Sequence, residues 1–84
     1  MAENIKLLRS LSGYMRIYQG KVKKYPRYAD LRNILGLLYY IHGKYSFALR
    51  QFDQALSINP LYEEGTVNRC FALSAVGKRK KAIK

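Results

Sequence analysis

The chain contains one cysteine, one histidine, two prolines, no tryptophan and only five acidic residues. With Cys70 alone, an internal disulfide and a cysteine-rich zinc site are excluded, and a reducing, cytoplasmic setting is compatible. Ser-His-Asp or Cys-His chemistry would have to use His42, which falls at a predicted helix end, far in sequence from Cys70 in a different helix. Glu63-Glu64 is the one acidic pair. Its place in the first turn of a predicted helix suits the positive end of the helix dipole better than acid-base work. Neither a glycine-rich phosphate loop nor a metal-ligand cluster is present in the sequence. The expectation is a protein that is not an enzyme and uses no cofactor or metal. Long apolar runs are also missing at the start, where Lys6, Arg9 and Arg16 interrupt residues 1–18, so neither a signal peptide nor a membrane span is expected there.

What the chain has in excess is positive charge. Sixteen Lys and Arg give a net charge of +11 over 84 residues, which favours acidic partners such as phosphate backbones, anionic lipid or acidic peptides. The length allows one domain with a modest core.

Apolar spacing predicts helices throughout. In residues 3–24, Ile5, Leu8, Leu11, Met15, Tyr18, Val22 and Tyr25 recur at steps of three and four, one apolar helix face. The same residues fit a short heptad seam, but the run is too brief for a coiled coil, and packing onto the next helix is expected. Gly13 and Gly20 are candidate points for a bend or split. Tyr25-Pro26 ends this helix, because a residue before proline is pushed out of the helical region. Residues 29–41 resume helical spacing, and Gly43 in His42-Gly43-Lys44 supplies a turn with positive φ. Residues 45–58 carry Phe47, Ala48, Phe52, Ala55, Leu56 and Ile58, closed by Asn59-Pro60. A further helix over residues 62–76 carries Val67, Phe71, Leu73 and Val76 and is expected to stop at Gly77.

Pro26 and Pro60, Tyr28 and Tyr62, Gly43 and Gly77, and Ala48 and Ala82 are each separated by 34 residues. Together with Leu35-Gly36, Tyr39, Ala48, Phe52, Ala55 and Pro60, this pattern resembles the tetratricopeptide repeat (TPR) family. Arg32 departs from it, standing where a large apolar residue is usual. In the second copy Arg69-Cys70 replaces Leu-Gly and Leu73 replaces Tyr. The resemblance implies an all-α fold of antiparallel helical hairpins stacked as a short right-handed solenoid, with three to four helices plus a truncated final helix. Residues 1–25 would be an amphipathic capping helix, 28–60 a complete repeat and 62–84 an incomplete one, the start of a longer array or a fragment of it. Cys70 would pack at a helix crossing.

The resemblance also implies function. The first helix of each hairpin lines a concave groove in this family, which places Asn33, Leu37, Tyr40, Ile41, Glu64, Val67, Asn68, Phe71 and Ser74 on a surface that binds a peptide or partner helix, with Asn33 and Asn68 bonding its backbone. The lysine and arginine clamp of some relatives is absent. An uncovered repeat face implies self-association or a swap through the end helices. Two other partners are suggested by charge. Arg9, Arg16 and Lys23 form a stripe seven residues apart, and Lys78, Arg79, Lys80 and Lys81 form a run; with Tyr14 or Tyr28 as stacking surfaces they suggest RNA, although a solvated face explains them as well. Attachment of the first helix to a membrane surface is the weakest option.

Overall fold

Proline and glycine set the boundaries between helices. α1 (Ala2–Lys24) stops before Tyr25-Pro26, α2 (Ala29–Ile41) before His42-Gly43, and α3 (Tyr45–Ile58) before Asn59-Pro60. α4 (Glu63–Ile83) completes the chain order, and no strand occurs among the described residues. The computed structural model describes the backbone of residues 2–83 and the side chains of residues 9–81. Expectations for the side chains of Ile5, Lys6, Leu8, Ala82 and Ile83 lie outside the described residues.

At the end of α2 the Gly43 φ of +76° turns the chain. Its N–H donates to the Tyr40 carbonyl at 3.0 Å and the Lys44 N–H to the Tyr39 carbonyl at 2.9 Å, a Schellman closure that satisfies the last carbonyls of the helix. Gly13 and Gly20 do not split α1. Both have open space where a Cβ would stand, and the helix runs through them unbroken.

The expected stop at Gly77 is not there. α4 continues through that glycine to Ile83, so the predicted separate, truncated final helix is instead the end of α4. Gly77 does not adopt positive φ, and nothing lies within 4 Å of a Cβ built on it. Residues 78–81 are all Lys or Arg, where Tyr45 and Phe47 stand after Gly43, and the helical hydrogen bonds continue through them.

Cross-helix contacts define the packing. Ser12 meets His42 and Gln19 meets Tyr39, so α1 runs antiparallel to α2. Tyr39 packs on Phe47 and Tyr40 on Tyr45, while Arg32 reaches Gln54, which makes α2 and α3 an antiparallel hairpin. Gly65 lies against Leu56 and Arg69 pairs with Asp53, so α4 runs back along α3 and parallel to α2. Among the described residues α1 packs against α2 alone, whereas α4 touches both members of the hairpin. The result is a slab of 39 × 34 × 18 Å.

The core sits where α2, α3 and α4 meet. Phe52 is fully buried together with Ala48, Ala55 and Ala72. Gly36 makes room for it: a Cβ there would collide with Phe52 Cε1 and stand 2.8 Å from Cδ1. Burial of that ring stabilises the fold by about 1.5–3 kcal/mol relative to exposure. Val22, Leu35 and Leu38 are also buried.

Candidate functional site

The parallel pair α2 and α4 leaves a groove between them. Near its N-terminal end Asn68 Nδ2 donates to Asn33 Oδ1 at 2.9 Å. At the other end the Arg79 guanidinium donates to the Gly43 carbonyl at 2.9 Å and lies over the Tyr45 ring, 5.1 Å from its centroid. Between these ties is a cleft of about 300 Å³ lined by Leu37, Tyr40, Phe52, Asn68 and Phe71. It continues past Tyr40 and Phe71 into a wider hollow of about 530 Å³ walled by Tyr45, Ser74, Ala75, Lys78 and Arg79.

Helical spacing explains the walls. On α4, Val67, Phe71, Ser74 and Lys78 recur at steps of four, three and four, while Gly65 and Ala72, on the other side, are buried toward the hairpin. Phe71 is 60% exposed and Leu37 38%, so the apolar lining is open to a ligand rather than consumed by the core.

The residues predicted for the groove are not all brought together, and Ser74 lines the wider hollow. Leu37, Tyr40, Asn68 and Phe71 are brought together in the cleft. Val67 shares their α4 face but lines a separate shallow hollow with Pro60, Leu61, Glu63 and Thr66. Ile41 is exposed and Glu64 sits in the first turn of α4, where the Tyr62 hydroxyl points at its carboxylate at 3.4 Å. Asn33 is corrected: it is 2% exposed and its Oδ1 is occupied by Asn68, so it ties α4 to α2 instead of meeting a peptide backbone. Phe52, Tyr45, Lys78 and Arg79 were not predicted as groove residues. The signal for Lys78 was the same three-and-four step that marks Phe71 and Ser74, hidden by reading Gly77 as a helix end.

Cys70 is a second correction. It is exposed, and Ala72 provides the small buried residue that α4 presents to the core. Cys70 lies well away around the helix from the line of Gly65 and Ala72, which sets the inward face.

His42 ties α1 to α2. Its Nδ1 is 2.8 Å from the Leu38 carbonyl, and because a carbonyl only accepts, the ring proton belongs on Nδ1. In the neutral ring Nε2 then accepts from Ser12 Oγ at 3.3 Å.

Charge is polarised along the groove. Asp30, Glu63 and Glu64 lie in the first turns of α2 and α4. The Tyr62 hydroxyl there is raised above its ordinary value, first by burial and then by the nearby Asp30 and Glu64 carboxylates, with a hydrogen bond from Asn33 opposing. At the opposite end stand Lys44, Lys78, Arg79, Lys80 and Lys81, all exposed. Arg69 to Asp53 is the ion pair among the described residues, so none of these five cations meets a carboxylate there. The stripe of Arg9, Arg16 and Lys23 is exposed on α1, whose Ser12 meets His42 at the same end of α2 at which Arg79 reaches Gly43.

No family model, curated protein or solved structure matches the chain. The chemistry of the groove is therefore read from its own residues. No helix among the described residues is long and apolar enough to cross a membrane.

Proposed function

We propose that this chain is a helical scaffold module, a short right-handed TPR-like solenoid, that holds a peptide or helix of a partner protein in the groove between α2 and α4 and performs no chemistry of its own. The observation that carries this reading is the cleft lined by Leu37, Tyr40, Phe52, Asn68 and Phe71, concave and apolar with an amide at its side. Concave apolar sites with a few polar groups are the usual form of binding sites. Each apolar anchor seated there contributes about 1.5–3 kcal/mol before the cost of association.

The test is selection of a random dodecapeptide library on the immobilised chain and on Leu37→Glu with Phe71→Glu. Both side chains are exposed, so the variant keeps its fold, which circular dichroism checks. Peptides enriched on the wild type and lost on the variant support the groove. Equal capture by both sinks it.

A second reading, RNA binding, draws on the unpaired cations at the end of α4. Of its two candidate stacking surfaces, Tyr28 packs edge-on against Tyr25 roughly 20 Å along α2 from the Arg79 tie at Gly43, whereas the exposed Tyr14 lies two residues from Ser12, which meets His42 at the same end as that tie. The groove reading is favoured because one cleft already holds its apolar lining and its amide.

A further inference from the structure

The groove has a direction. Its apolar part, between Leu37 and Phe71, opens at one end onto Lys78 and Arg79, while Glu64 and Asp30 lie toward the other. We infer that the occupant is an acidic peptide segment, with one apolar side chain seated between Leu37 and Phe71 and a carboxylate held by Lys78. This deepens the groove reading above and rests on it.

Several features of the groove support this occupant. Arg79 is already engaged, donating to the Gly43 carbonyl and lying over Tyr45, so it forms a fixed positive wall. Lys78 lines the same hollow, is exposed and has no carboxylate partner among the described residues. Its ammonium is the group free to meet a ligand anion. At the opposite end the exposed Glu64 repels a second carboxylate, which fixes the polarity of the bound segment. A second copy of this chain is a poor occupant, because each copy carries +11.

Spacing makes the inference specific. Phe71 and Lys78 are seven residues apart on one face of α4, so their backbones are separated by roughly 10 Å along the helix axis. An extended peptide advances about 3.3 Å per residue. The anchor and the carboxylate therefore fall about three positions apart in an extended ligand, or about seven apart if the ligand is itself a helix.

The test uses dodecapeptides selected on the full chain, then labelled and measured by fluorescence anisotropy against the wild type, Lys78→Glu and Lys80→Glu. The two variants change net charge equally, but Lys80 lies about 200° around the helix from Lys78. Enriched sequences are expected to carry Asp or Glu at the stated spacing from an apolar residue. Lys78→Glu is expected to weaken them about tenfold, as contacts to a charged group do when reversed in sign, and Lys80→Glu by no more than about twofold. Neutral or basic consensus peptides that still need Leu37 and Phe71 overturn the inference and leave the groove standing. Failure to enrich any peptide overturns both. Equal losses in the two lysine variants show unspecific charge attraction and also overturn it. So does an oligouridine probe that displaces the acidic peptides and binds more tightly than they do, which would assign the basic end to a phosphate backbone.

Discussion

Residues 26–59 and residues 60–83 share one 34-residue register, yet they fold differently after their matching glycines. At Gly43 the chain turns back with a φ of +76°, and α3 returns Ala48, Phe52 and Ala55 to the core. At Gly77 the helix goes straight on. Glycine permits both outcomes, at about 1 kcal/mol relative to alanine inside a helix. The residues beyond each glycine make the difference. Tyr45 to Ile58 carries an apolar face that is buried on return, whereas residues 78–81 are cationic throughout.

Five substitutions follow from that contrast and from the packing around it, in order of expected effect. Phe52→Ala removes the buried ring around which α2, α3 and α4 meet, with an expected loss of about 3–5 kcal/mol. In a domain of this size that leaves little residual stability, and urea unfolding monitored by circular dichroism should show a collapsed or absent transition. Gly36→Ala forces a methyl into the same ring and should cost about 1–3 kcal/mol by the same measurement. A cost near zero would mean that the close approach of α2 and α3 is adjustable.

The two matching glycines should then respond with opposite signs. Gly43→Ala strains a positive-φ residue and is expected to lose about 1–2 kcal/mol. Gly77→Ala adds a methyl into open space within a helix and is expected to gain about 0.5–1 kcal/mol. Loss of stability in Gly77→Ala would show that the chain turns there after all, and the contrast between the two regions would disappear.

Tyr62→Phe has the smallest effect. The native Tyr62 keeps its proton at pH values where the unfolded phenol has lost it, because burial and the Asp30 and Glu64 carboxylates raise its pKa. The native state then binds more protons than the unfolded state, so this contribution is present below about pH 10 and is lost as pH rises through the native value. Wild-type stability should fall relative to Tyr62→Phe as pH rises above about 10 in urea melts. A constant difference would mean that the hydroxyl does not feel the acidic end of the groove.

Much of the hairpin was legible in the sequence because its signals are local. Pro26, Gly43 and Pro60 mark the breaks, and the three-and-four spacing of Leu35, Leu38, Ala48, Phe52 and Ala55 marks the packed faces. Leu37, Tyr40, Asn68 and Phe71 were also legible as one surface, but only through the tetratricopeptide resemblance, which assigns the first helix of each hairpin to a groove. Asn33 was misread because the same amide donors and acceptors serve a peptide or a neighbouring helix, and only the approach of Asn68 settles which. Lys78 was missed with Gly77: once a helix is assumed to end, the residues beyond it lose their phase relative to Phe71.

The sequence by itself determined where α1, α2 and α3 end and which of their faces are apolar, since both depend on backbone restrictions and side-chain periodicity within a few residues. Only the tertiary structure decided that Gly77 is helical, that Asn33 is spent on Asn68, and that Lys78 and Arg79 stand at the end of an apolar groove. Those outcomes depend on competition between distant segments for the same buried surface and hydrogen bonds, which no local pattern records.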